Sequence, residues 1–170
     1  MRAFLAKSLL RAALPASLLW LAACAPAPIY KATGTIAAAP FNVAEAPERY
    51  ANADVVWGGR IVSVHTLADR SEIEMLAFPL DGSQRPKAGD SGTGRFIAIM
   101  PGFVEPLNYP DGALMTVQGR LTGSRAGKVG EASYVFPLVG VGQSHVWTAS
   151  EMDSGKNNVH FGVGLGVGIR

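Results

Sequence analysis

From Ala53 onward, apolar residues come in short β-branched or aromatic runs broken by Gly, Pro and Asp, and nothing recurs every third or fourth position. Val55 to Val64 (VVWGGRIVSV) predicts a strand in which Trp57, Ile61 or Val62, and Val64 share a buried surface. Gly58-Gly59 inside it predicts a bulge or a sharp bend. After a turn at Asp69-Arg70-Ser71, Glu72 to Leu80 alternates charge with apolar residues over its first half, the mark of a half-exposed strand. A polar, Gly-rich loop (81–94) leads to a third strand, Arg95 to Met100. Residues 101–112 hold three prolines and have room for at most a short helical turn. Two further strands, Ala113 to Thr122 and Val129 to Leu138, are joined by a hairpin-like Gly123–Lys128, and a last short strand is expected at Ser144 to Thr148. The class is all-β. Five or six strands with a long connection after the third match a small OB-like barrel, which leaves no exposed edges. A small open sandwich is the alternative.

Upstream of Ala53 the pattern changes twice. Arg2, Lys7 and Arg11 precede a 12-residue apolar run from Ala12 to Ala23 that ends in small residues. This is a secretory signal peptide, too short for the roughly 20 residues that a membrane-crossing helix needs. Leu21-Ala22-Ala23-Cys24 places the only cysteine of the chain directly after the small residues, and this resembles the bacterial lipobox. That resemblance implies a diacylglycerol thioether on Cys24, added through its nucleophilic sulfur, and an N-acyl chain after cleavage. More than one acyl chain makes attachment to a membrane stable. Residue 25 is Ala; Asp there is associated with inner-membrane retention, so the expected destination is the outer membrane, on its periplasmic face. Residues 24–52, rich in Ala and Pro, predict the acylated Cys24 and an extended spacer.

Beyond the barrel (53–148) lies a Gly-rich tail, 149–170. In it every odd position from Val159 to Ile169 is apolar, and every even one from Gly162 to Gly168 is Gly. A strand of this composition has one apolar face and one bare face, yet Gly raises the entropy lost on ordering. A flexible or late-docking tail is expected, with a pairing strand as the rival.

Charge narrows the function. Cleavage after Ala23 removes three of the 15 basic residues and none of the 13 acidic ones, so the mature chain carries about −1. No basic tract remains to attract nucleic acid. With Cys24 acylated, neither a disulfide nor a thiolate metal site can form. No cofactor fingerprint is present, because the Gly-x-Gly repeats of the tail lack a preceding strand and a following helix.

Candidate catalytic motifs fare poorly. His65, Asp81 and Ser91 fall in the order of a protease triad, and Gly89-Asp90-Ser91-Gly92 echoes a protease serine flank. The scaffold such a triad needs does not fit in this length, and Gly89–Gly94 reads as a loop. The three histidines lie far apart, without metal-type spacing. Glu72 and Glu74 point the same way along a strand, but their alternation with Ile73 and Met75 predicts a solvated face. What remains is recognition chemistry: Trp57, Arg60, Arg95, Phe103, Tyr109 and Tyr134, with Arg120, are the candidate surface for a ligand or partner.

Taken in order, these stretches resemble the Slp family of outer-membrane lipoproteins, the starvation-inducible type. The likeness rests on Leu-Ala-Ala-Cys24, Val56-Trp57-Gly58-Gly59-Arg60-Ile61, Glu74 with Pro79-Leu80-Asp81, and Arg85-Pro86. It continues through Gly94-Arg95-Phe96, Pro101 to Pro106 with Tyr109, Val117-Gln118-Gly119, Gly130-Glu131, Tyr134, Phe136-Pro137 and Trp147. It implies a lipid-anchored envelope protein associated with starvation and stress, acid stress included, and no catalytic residues. The expected role is non-enzymatic: binding a partner protein, lipid or small solute. The alternative is a periplasmic OB-like module that delivers or sequesters a small molecule or lipid.

Overall fold

A computed structural model describes residues 27–154. Cys24 and residues 155–170, with the expectations placed on them, lie outside the described residues. Five strands, β1 (Asp54–Thr66), β2 (Arg70–Phe78), β3 (Arg95–Pro101), β4 (Leu114–Val129) and β5 (Ala132–Trp147), close into a barrel in the order β1-β2-β3-β5-β4. Neighbours are antiparallel except β3 and β5, which run parallel over Ile97↔Leu138 to Ile99↔Gly140. This is the Greek-key closure of an OB-like barrel.

Three local readings change. The segment expected as a hairpin loop, Gly123–Lys128, is strand: Arg125 faces Phe136 and Lys128 faces Ser133 across the ladder. The turn falls instead at Gly130, whose φ of 58° suits glycine and closes a tight hairpin. The expected sixth strand is the end of β5, with Leu114 paired to Trp147. The irregularity of β1 sits between Ile61 and Ser63, not at the glycine pair. Gly58 and Gly59 serve close approach, because a Cβ on Gly59 would stand 2.0 Å from the Leu76 carbonyl oxygen.

The core follows strand alternation. Ile73 and Met75 of β2, Phe96 of β3, Met115 and Val117 of β4 and Val139 of β5 point inward and are fully buried. Trp57 meets Phe96 edge-on at 5.1 Å between ring centroids.

The Pro/Ala-rich stretch read as a spacer is largely part of the body. Pro40 starts a six-residue helix, α1 (Pro40–Glu45), which inserts Val43 into the core cluster; a 3-10 turn follows at Pro47–Tyr50. Six residues are too few to display a helical period, so composition hid the helix. Farther out, the Tyr30 amide donates to Gln84 Oε1 (2.8 Å) and Gln84 Nε2 donates back to the Tyr30 carbonyl (3.1 Å). Burial pushes the Tyr30 hydroxyl up to about 12. At the other end, α2 (Ala149–Asp153) opens on a capping box of Thr148 and Glu151. Arg85 Nη1 donates to the carbonyls of Glu151 and Ser154. The turn at 81–86 therefore ties both ends of the described chain.

Candidate functional site

The even-numbered residues of β2 point away from the barrel axis. Register lines them up with their neighbours: His65↔Glu72↔Ile99 and Ser63↔Glu74↔Ile97. The sequence predicts a solvated face there, and the structure corrects it. The β4–β5 ribbon runs on past the barrel to Val129↔Ala132 and covers this face. Between ribbon and barrel lies a cleft of about 200 Å³, lined by His65, Glu72, Glu74, Ile97, Arg125, Lys128 and Phe136.

Two arginines grip Glu72. Arg125 Nη1 stands 2.8 Å from Oε2 and Arg70 Nε 3.1 Å from Oε1, and the carboxylate side chain is only 7% exposed. Burial pushes its pKa up, but the hydrogen bonds from Arg125 and Arg70 outweigh that and hold the carboxyl below its usual range. Glu74 pairs with Arg95 at 2.5 Å. Tyr134 fixes the start of β3: its hydroxyl accepts from the Arg95 amide (2.8 Å) and donates to the Arg95 carbonyl (3.2 Å). Its ring meets Phe136 edge-on at 4.9 Å.

The cleft can offer charge and hydrogen bonds over an apolar floor. Ser63 Oγ lies 3.2 Å from His65 Nε2, a contact a nucleophile and base could share. Activating it would need a third group to orient the imidazole, and both oxygens of Glu72 are already held by arginines. Of the other protease-like residues, Asp81 organises a turn, accepting from the Ser83 and Arg85 amides and from Arg85 Nε. Burial raises its pKa, yet the Arg85 and Ser83 bonds bring it below the usual range. Among the described residues no three His, Cys, Asp or Glu side chains are grouped to hold a metal, and no helix is long and apolar enough to cross a membrane.

Of the residues expected at a recognition surface, the structure brings together Arg95 and Tyr134, at the edge of the cleft. Trp57 lies on the buried face expected of its strand and is corrected as a surface candidate: it is 6% exposed, and its Nε1 donates to the Ala38 carbonyl (2.9 Å). The segment expected to be a spacer covers it. Arg60 is exposed on β1 and donates to the Gly112 carbonyl (3.3 Å). Phe103 and Tyr109 belong to the 101–112 loop, Phe103 exposed and Tyr109 packed against the core. Arg120, also exposed, forms a two-point pair with Asp54 at 2.8 and 3.1 Å. Sequence reasoning missed His65, Glu72, Arg125, Lys128 and Phe136 as one site. The Glu72–Met75 alternation was the available signal, but only the ribbon's path turns it into a cleft.

The chain is 34% identical over 100 residues to the lipoprotein YeaY of Escherichia coli, covering 59% of this chain and 51% of that protein. It is 38% identical over 94 residues to a protein of Haemophilus influenzae, covering 55% and 51% respectively. To the outer membrane protein Slp of Escherichia coli it is 26% identical over 106 residues, covering 62% and 56%. The chain thus spans about half the length of the curated relatives it matches. No solved structure matches it. The sequence profile of the outer membrane lipoprotein Slp family matches residues 21–163, and the chain belongs to that family.

Proposed function

We propose that this outer-membrane lipoprotein is a non-catalytic recognition module, held by an acylated Cys24 on the periplasmic face of the membrane. Its cleft takes one small polar group, the size of a sugar residue or a polar side chain, presented by an envelope partner. The observation that carries this reading is the covered outer face of β2, where Glu72, Glu74 and Arg125 meet Phe136 beneath the ribbon. A pocket with a few placed polar groups over an aromatic floor is a common ligand site, and this face with the β4–β5 connection is where OB folds hold oligosaccharides and oligonucleotides. A chain with no basic tract favours the glycan class. Ion pairs around the cleft disfavour an acyl chain, so sequestering a lipid there is the weaker reading. A protective role under stress would follow from holding an envelope component in place.

The test is amide NMR of the mature lipoprotein in nanodiscs, titrated with N-acetylglucosamine oligomers and, separately, with a fatty acid. Shifts at Glu72, Glu74, Ile97 and Lys128 with the glycan alone support the proposal. Shifts confined to other residues, or obtained only with the fatty acid, overturn it. Mass spectrometry of the mature N-terminus tests the anchor: an unmodified Cys24 sulfur contradicts it.

A further inference from the structure

The five exposed large hydrophobic residues of the described chain are unevenly placed. Leu107 (85% exposed) and Phe103 (68%) protrude furthest, and both lie on the 101–112 loop; Leu67 lies on the neighbouring β1–β2 turn. The two loops are joined, since the Gly102 amide donates to the Asp69 carbonyl and Ser71 Oγ donates to the Gly102 carbonyl. The three residues therefore crown one end of the barrel.

This end is held in shape. Val104 and Tyr109 pack inward on the core while their neighbours Phe103 and Leu107 point out. The Val104 amide donates to Ser71 Oγ (3.1 Å), and Glu105 and Pro106 carbonyls accept from Asn108 and Tyr109. Three prolines stiffen the loop. A fixed loop cannot tuck Phe103 and Leu107 away, so their exposure is built in.

What lies within reach decides what covers them. Only five residues separate Cys24 from Tyr30, where the chain is pinned to Gln84, so the six-step tether spans at most roughly 20 Å. A domain of this size is roughly 35 Å across. Tyr30 sits beside Thr116 and Gln84, level with Gly58 and Phe78, so the tether keeps the body close to the bilayer. The exposed apolar side chains at the Arg70 end of β2 select which end meets it. We propose that the Phe103–Leu107 loop, with Leu67, seats in the phospholipid interface and fixes the orientation of the barrel on the membrane. This rests on the acylated Cys24 proposed above. Around these residues Arg60 and Arg70 stand against Asp69, Glu105 and Asp111, with no excess of positive charge. Seating is therefore driven by apolar burial and persists at high salt on uncharged lipid.

Acylation leaves the chain without a free thiol, so Leu107→Cys or Phe103→Cys offers a single labelling site. The full mature lipoprotein, labelled there with an environment-sensitive fluorophore, is reconstituted in phosphatidylcholine vesicles carrying shallow spin-labelled lipid. Arg49→Cys and Glu131→Cys, both exposed, serve as controls. The expected result is at least ~2-fold stronger quenching at 103 and 107 than at the controls, unchanged by added salt. Equal quenching at all four positions on vesicle-bound protein overturns the seating and leaves the anchor standing. Protein that fails to stay with the vesicles, with Cys24 unmodified, overturns both.

Discussion

Strand β2 is covered on both sides, by opposite chemistries. Toward the barrel axis Ile73 and Met75 are sealed in an apolar core. Toward the outside Glu72 is nearly as well sealed, but by guanidinium groups from Arg70 and Arg125. The inner face gains stability directly, at about 25 cal/mol for each Å² of apolar surface removed from water. The outer face gains little, because desolvating an ion pair costs about what the attraction returns, and apolar replacements of similar volume are often as stable. Charges kept where Leu or Val would serve the fold fix the geometry of the cleft, and recognition there is the role proposed above. The difference assigns the two faces different work: one holds the barrel together, the other shapes the cleft.

Substitutions break this comparison in order of size. Gly59→Ala drives a methyl into the Leu76 backbone, which has no room to yield, and should cost about 4 kcal/mol or more, leaving little folded protein by circular dichroism. Ile73→Ala opens a cavity in the core and should cost about 2–5 kcal/mol in urea melts, with the cleft's glycan affinity unchanged wherever the protein is still folded. Arg125→Ala leaves Glu72 with one partner and should cost about 1–2 kcal/mol while weakening binding. Lys128→Ala, on an exposed side chain, should change stability by less than ~0.5 kcal/mol and still reduce binding in the same titration. If Ile73→Ala and Lys128→Ala affect binding equally, the division between faces fails.

Acid sharpens the outer face further. Glu72 has a lower pKa folded than unfolded, so its contribution is fully present above the ordinary carboxylate range of about 4.3. That contribution is lost as pH falls through the folded value. Arg125→Ala removes part of what lowers the pKa, so the variant's melting temperature should depend less steeply on pH below about 4.5 than the parent's.

The barrel was legible in the short apolar runs of its strands, and in their number with a long connection after the third, rather than in any one period. The cleft was not. Glu72 and Glu74 alternate with core residues whether solvent or a ribbon lies above them, and the glycines of Gly123–Lys128 read as a loop although they extend β4. Trp57 admits both a buried and a recognition reading for a related reason. Its indole is an equally good surface or core group until the Pro/Ala-rich segment that covers it is seen to fold. Short helices such as α1 leave no periodic trace, and the pinning of Tyr30 by Gln84 joins positions 54 residues apart.

A photo-crosslinking amino acid at Lys128 in the ribbon, compared with one at Arg120 where β4 pairs with Asp54 of β1, tests the cleft in intact cells. A glycan-holding cleft gives adducts carrying envelope glycan from position 128, reduced by Glu74→Gln, and none above background from position 120. Equal adducts from both positions, or glycan captured from position 120 alone, would contradict it.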